Sequence, residues 1–136
     1  MPPITASSSK TTLWTGRILS GLAILFLVFD TVIKLLARPE VADSMQQLGY
    51  PTELGFVIGI IELVCLVAYI VPATSVIGAI LLTGYLGGAI ATHLRLENPL
   101  FTHILFPTYI AALIWGGLYL RDRRVRVLVA LNGART

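Results

Sequence analysis

Four stretches of this chain, 18–36, 54–71, 76–94 and 104–120, are nearly unbroken runs of apolar residues. Each is close to the ~20 residues a helix needs to cross a ~30 Å hydrocarbon core. No other feature narrows the fold as far. Spanning segments must satisfy their own backbone polar groups, so the runs predict helices. The turn between the second and third, Pro72-Ala73-Thr74-Ser75, and the link from Arg95 to about His103 are too short for anything but antiparallel neighbours. The expected fold is all-α: an antiparallel bundle of four transmembrane helices, with a short interfacial helix between the first and second spans.

Composition agrees. With 56% hydrophobic and 12% charged residues and a mean hydropathy of +0.84, the chain has half the charge of a soluble domain, which carries about 25%. That argues against a secreted domain, a nucleic-acid binder and a cytosolic enzyme, and the length allows one domain. Cys65 is the one cysteine, so no intrachain disulfide and no CxxC pair can form.

Residues 1–12 are small and polar and read as a disordered tail. Residues 13–124 form the membrane domain, and 125–136 a basic amphipathic tail in which Val125, Leu128, Val129 and Leu131 alternate with arginines. The first apolar run is no cleaved signal peptide, because Asp30 and Lys34 interrupt it and no A-x-A-like site follows. Between the first two runs, Pro39 suits a helix start, Val41, Met45 and Leu48 recur at helical spacing, and Gly49 supplies a stop. That pattern predicts a short helix lying at the interface.

With four spans both termini share one side, which holds Lys10, Arg17 and the arginines at 121, 123, 124, 126 and 135. Lys34, Arg38 and Arg95 fall on the other. The positive-inside rule then puts both termini in the cytoplasm of a bacterial-type inner membrane. Trp14, Trp115 and Tyr119 lie near span ends as an aromatic belt.

A charge at mid-bilayer costs about 2.5–3.5 kcal/mol on insertion scales and marks a functional candidate. Asp30, Lys34 and Glu62 qualify. By helical rise, Asp30 and Glu62 lie roughly 10–12 Å below the outer boundary, level with Gly88 and Tyr109. Lys34, His93, Arg95 and His103 lie nearer the outer surface. Either Asp30 and Lys34 pair at i, i+4 and the group locks the helices together, or it lines an outward-opening pocket for a polar headgroup, a quinone or a proton. Two carboxylates at one depth favour the pocket, because a lock needs only one. Its expected residues are Asp30, Lys34, Glu62, Gly88, His93, Arg95 and Tyr109.

The glycines of the third run, including Gly84 and Gly88 at small-xxx-small spacing, predict close helix packing; the alternative is room for a flat ligand. They lie mid-span, which excludes a phosphate-cradling loop. His93 and His103, ten residues apart across a short link, could face each other as haem ligands, but histidines at an interface are more often hydrogen-bonded or solvated. No Ser-His-Asp order, HExxH or metal-spaced Cys/His cluster is present, so no metal site is expected.

Several segments together resemble the DoxX-like family of small four-helix integral membrane proteins, over roughly 14–124. They are Phe29-Asp30-x-x-x-Lys34, Leu48-Gly49-Tyr50-Pro51, Gly59-Ile60-Ile61-Glu62-Leu63, the stretch from Pro72 through Gly84-Tyr85-Leu86-Gly87-Gly88-Ala89, Thr92-His93-Leu94-Arg95, and Tyr119-Leu120-Arg121-Asp122. The third-run stretch is the most specific. The family takes its name from a subunit associated with a membrane thiosulfate:quinone oxidoreductase. Some relatives are similar to components of membrane redox complexes handling thiol or oxidative stress, and most have no assigned activity. Here the missing cysteine pair argues against direct sulfur chemistry.

The resemblance and the polar cluster together imply a quinone- or lipid-binding accessory subunit of a membrane redox assembly. In it Asp30 and Glu62 would exchange protons, and Lys34 and Arg95 would hold an anionic or carbonyl oxygen. The alternative is a non-catalytic scaffold or assembly factor docking partner helices through its glycine-rich third span; the expected partners are the lipid bilayer and a membrane redox complex or further copies of the chain. Small-molecule transport is a weaker third reading, since no discontinuous helix or inverted repeat is evident.

Overall fold

The computed structural model describes residues 9–134, so the tail expected over 1–8 lies outside the described residues. Among those described the chain is helical throughout, with no strand: α1 Lys10–Leu35, α2 Pro39–Gln47, α3 Leu54–Ile70, α4 Ser75–Arg95, α5 Phe106–Arg121 and α6 Arg123–Gly133. Residues 10–12, expected in the tail, instead form the first turn of α1. The Ser9 side chain caps that turn by accepting from the Thr12 N–H at 3.2 Å, which satisfies one of the donors every helix start leaves open.

α1 packs on α3 and α5, α4 on the same two, α2 on α3 and α6 on α5. Three helices, α1 with Pro72–Arg95 and Leu100–Arg121, are long and apolar enough to cross a membrane. The fourth apolar helix, α3, has 17 residues.

Each helix ends for a local reason. Ala37 and Glu97 adopt positive φ after α1 and α4, and Gly49 does so after α2, the left-handed residue that lets the last carbonyls find donors. Pro39 opens α2, and its buried Val41 and Met45 fulfil the amphipathic expectation. A 3₁₀ turn, Pro72–Thr74, joins α3 to α4, where Ser75 Oγ donates to the Tyr69 and Val71 carbonyls at 2.9 and 3.0 Å. A π turn at Leu100–Ile104 leads into α5. α6 does not continue α5: Asp122 has extended backbone and caps α6 by accepting from the Arg124 N–H at 2.8 Å.

The apolar pattern is inverted relative to a water-soluble bundle. α1 buries a narrow stripe of mostly small residues, Gly16, Ser20, Ala23, Leu27 and Thr31. Its large side chains point outward, with Leu25 67% and Phe29 65% exposed. α3 and α4 do the same with Val64, Ile77 and Ile80. Small residues inside let helices approach, while bulky ones face a solvent as apolar as themselves.

Of the third-run glycines only Gly78 makes the predicted close approach. A Cβ placed on Gly84, Gly87 or Gly88 would meet nothing within 4 Å. One on Gly78 would collide with the Tyr69 and Ala68 backbone, and one on Gly16 would lie 2.9 Å from both Arg121 N and Gly117 O. Close packing at Gly84 and Gly88 is therefore corrected. The tight seams are Gly78 on α3 and Gly16–Gly117 between α1 and α5, because only there do no side chains stand between the backbones.

Trp115 also departs from a belt role: its indole N–H donates to Thr83 Oγ1 at 2.7 Å, tying α5 to α4. Trp14 and Tyr119 remain exposed.

Candidate functional site

The C-terminal half of α1 carries Asp30 and Lys34 one helical turn apart, so both point the same way. Gly59 of α3 stands opposite Lys34, where an added Cβ would lie 2.9 Å from Lys34 Cβ. That gap lets the lysine stem pass along α3 and bring its ammonium to Glu62. The Lys34 ammonium then donates to Asp30 Oδ2, to Glu62 Oε2 at 2.9 Å and to the Tyr85 hydroxyl at 2.7 Å. Tyr85 in turn donates to Glu62 Oε2 at 3.0 Å. Three helices are thus joined at one ammonium.

Burial is graded across this cluster. Glu62 is fully buried, Lys34 13% exposed and Asp30 28% exposed at their side chains. Glu62 Oε1 and Thr31 Oγ1 are buried without hydrogen-bond partners. The cluster holds two carboxylates against one ammonium in apolar surroundings. A buried charge is tolerated only when paired and hydrogen-bonded, and one carboxylate here is in excess.

Beside the cluster lies a cavity of about 530 Å³. Asp30, Lys34 and Tyr85 form its polar end, and Phe26, Leu27, Ile58, Leu86, Phe106 and Ile110 are among its apolar walls. Gly88 and His93 line it on α4, and α2 lies across it, contributing Glu40, Val41, Ser44 and Met45. This volume is within the range of small-molecule sites. The room exists partly because Gly88 has no side chain and nothing fills its place. A smaller cavity of about 250 Å³, lined by Arg38, Thr52 and Glu53 among others, lies beyond it; Lys34 and Val41 border both.

Of the residues singled out from sequence, Asp30, Lys34 and Glu62 meet directly, and Gly88 and His93 join Asp30 and Lys34 on the cavity wall. Glu62 sits behind Lys34 rather than on the wall. Arg95 is turned away: it donates to the Leu48 carbonyl at 2.6 Å and lies over the Tyr50 ring, tying α4 to the end of α2. Tyr109 is exposed on the outside of α5, where its hydroxyl donates to the Phe101 carbonyl at 3.1 Å.

The histidine rings do come together, edge to face with centroids 5.7 Å apart. Their Nδ1 atoms are engaged, by Asn98 Nδ2 for His93 and by Thr102 Oγ1 for His103, both at 2.8 Å. Among the described residues no group of three or more His, Cys, Asp and Glu is placed to hold a metal ion.

Two features escaped the sequence reading. Tyr85 completes the cluster, and its signal was a tyrosine in mid-span, far from the interfacial positions such residues favour. The second is a relay at the opposite end. Arg121 Nε donates to Ser20 Oγ at 2.9 Å, Ser20 bonds the Tyr69 hydroxyl at 2.9 Å, and Tyr69 donates to the Ile114 carbonyl at 3.0 Å.

Among known proteins, the family model described as the DoxX-like family matches residues 18–117. No curated protein and no solved structure matches the chain.

Proposed function

This chain belongs to the DoxX-like family, and we propose that it is a multi-pass membrane subunit whose cavity seats the head of an amphiphile, a quinone or a lipid. The carrying observation is the cavity itself: apolar walls lead to a polar end made by Asp30, Lys34 and Tyr85. Binding sites are concave and mostly apolar with a few convergent polar groups, and this cavity has that composition. A tail would lie along Phe26 and Ile110 while the head meets Asp30 and His93. Glu62, behind Lys34, would set the charge of the site and exchange a proton with it.

In this reading α3 is a fourth span. Its 17 residues reach about 26 Å at 1.5 Å each. The turn begun by Leu54 N–H to Pro51 O, and Val71 N–H to Val67 O at the far end, lengthen it. Both termini then face the cytoplasm of an inner membrane, with Lys34, Arg38 and Arg95 outside, as the positive-inside rule favours. The role in a redox assembly draws its support from the family's namesake, a subunit of a quinone-linked oxidoreductase.

A second reading is favoured by a different observation. Gly84 and Gly87 present an exposed surface of α4 with nothing near it, which suits a scaffold docking a partner helix or a second copy.

One experiment separates the two. Native mass spectrometry of the mildly solubilised protein, followed by lipid extraction, should find one amphiphile bound per chain. An added Cβ at Gly88 meets nothing and Gly88 lines the cavity, so Gly88→Leu should occupy it and expel the amphiphile, while Gly84→Leu should leave it in place. Loss of a co-purifying polypeptide with Gly84→Leu, and no amphiphile in the parent protein, would overturn the cavity reading in favour of the scaffold.

A further inference from the structure

We propose that the head of the bound amphiphile is a cation, an amine or quaternary ammonium, seated against Asp30 and the aromatic walls. The inference rests on the reading of the cavity as an amphiphile site and chooses among its ligands.

Around Asp30 the hydrogen-bond donors are nearly used up, the Ser44 hydroxyl on α2 being a further one at the cavity. An ammonium has three N–H donors, and Lys34 directs all of its own to Asp30, Glu62 and Tyr85. None remains for a ligand's carbonyl or phosphate. The Tyr85 hydroxyl has one hydrogen, and Glu62 takes it. Thr92 donates to the Gly88 carbonyl, so the Tyr50 hydroxyl donates to Thr92 and is likewise spent. His93 accepts the Asn98 amide at Nδ1, which leaves it one N–H, at Nε2. What the polar end still offers is mainly acceptor: Asp30 uses only Oδ2 on Lys34 while its side chain stays partly exposed at the cavity.

The charge count agrees. Around the cavity α1 supplies Asp30 and Lys34, α2 Glu40, α3 Glu62 from behind, and α4 Tyr85 and His93; α5 adds only Phe106, Pro107 and Ile110. Glu40 is matched by Arg38 at 3.5 Å. Arg95, the next cation toward this end, is committed to the Leu48 carbonyl. Carboxylates outnumber ammoniums by two to one here, and Asp30 is the carboxylate that reaches the cavity. A monovalent cation in the cavity would meet Asp30, whereas an anionic head would face that carboxylate in a low-dielectric setting.

The walls suit the same ligand. Of the aromatic rings bordering the cavity, Tyr50 and Tyr85 already meet Arg95 and Lys34, which leaves Phe26 and Phe106, edge to face with centroids 5.1 Å apart. Aromatic faces attract ammonium groups, quaternary ones included.

The test uses the full chain in non-ionic micelles, with chain-matched probes competing in native mass spectrometry: dodecylamine, dodecyltrimethylammonium, dodecanol, dodecyl sulfate and decylubiquinone. The two cationic probes should be retained about tenfold over dodecanol and the quinone, and dodecyl sulfate should be excluded. Asp30→Asn should bring cation and alcohol to within about threefold of each other. Should that variant fail to fold, Phe26→Leu at the cavity wall serves instead, and there the preference for the cationic probes should fall by about twofold. If dodecanol, the quinone or the sulfate is held as well as the amine, the cationic head is overturned and the amphiphile site stands. The cationic head is overturned in the same way if the folded variant keeps the full cation preference. If no probe is retained, both fall.

Discussion

The two ends of the helix assembly are built on opposite principles. At the Arg121 end, backbones touch: Gly16 faces Gly117 and Gly78 faces Tyr69 with no room for a Cβ. The polar atoms there are linked in a chain from Arg121 through Ser20 and Tyr69 to the Ile114 carbonyl. At the Lys34 end a cavity of about 530 Å³ opens although α1 and α3 stay close at Gly59, and the polar groups carry an excess carboxylate and buried oxygens without partners. The first end stores stability. The second gives it up, leaving unfilled volume and unmatched charge that a packed interior avoids. One end therefore holds the helices together so that the other can stay open.

Glycine substitution breaks this contrast most directly. Gly78→Ala forces a Cβ into the Tyr69 backbone, a clash no side-chain motion relieves. It should cost about 3 kcal/mol or more, read as a large fall in the thermal midpoint of helicity in detergent. Gly88→Ala, with nothing near it, should instead stabilise by up to ~1 kcal/mol through helix propensity. Equal effects at the two positions would abolish the distinction between the ends.

The next contrast concerns charge. Lys34→Met removes the one ammonium that joins Asp30, Glu62 and Tyr85. Taking away one partner of a buried pair costs about 3–5 kcal/mol, so the variant should melt far below the parent. Glu62→Gln keeps an acceptor for Lys34 and Tyr85 and removes the excess charge, so its melting point should stay near or above the parent's. A marked loss in Glu62→Gln would mean that the carboxylate is structural after all.

Tyrosine hydroxyls give a smaller test. Tyr69→Phe at the closed end removes the hydroxyl that links Ser20 to the Ile114 carbonyl, while Ser20 keeps its bond from Arg121. It should cost about 1–2 kcal/mol. Tyr85→Phe leaves Lys34 with both carboxylates, so its effect should be felt in ligand retention more than in melting. A reversal of these two outcomes would exchange the roles assigned to the two ends.

These two ends were not equally legible in the sequence. Asp30, Lys34 and Glu62 stood out because a charge inside an apolar run has few reasons to be there, and helical rise alone put the two carboxylates at one depth. Depth says nothing of which way a side chain points around its helix. That is why Arg95 and Tyr109 were grouped with the cluster, although the structure turns Arg95 to Leu48 and Tyr109 to Phe101. The closed end was hidden for a related reason. Gly16 and Ser20 are separated from Gly117 by most of the chain, and small residues in isolation do not announce which partner they meet. The crowded glycines of α4 did announce themselves, yet only Gly78 among them touches another backbone. The helix starts and stops were read from Pro39, Gly49 and the 72–75 turn because those signals are local.

The smallest effect is expected at the joint where the closed end meets α6. Asp122 breaks the line from α5 and caps α6, and the Arg124 side chain folds back on it at 2.7 Å while reaching the Pro72 carbonyl at 2.6 Å. The bond from Arg124 holds the Asp122 carboxyl below the ordinary aspartate range, outweighing its partial burial. A carboxyl lowered on folding contributes stability that is present above its unfolded value, about 3.9, and is lost as pH falls through the lower folded value. Between pH 5 and 8 the cap should therefore be constant. Once pH has fallen below that lower value, the amides at the start of α6 should lose protection from exchange, while those of α1 and α5 around Gly16 and Gly117 should keep theirs. Asp122→Ala should reproduce that local loosening at every pH, at a cost of about 1 kcal/mol. Because backbone contact rather than charge closes this end, the loosening should stop at α6; exchange spreading into α5 would show that the seam depends on the cap.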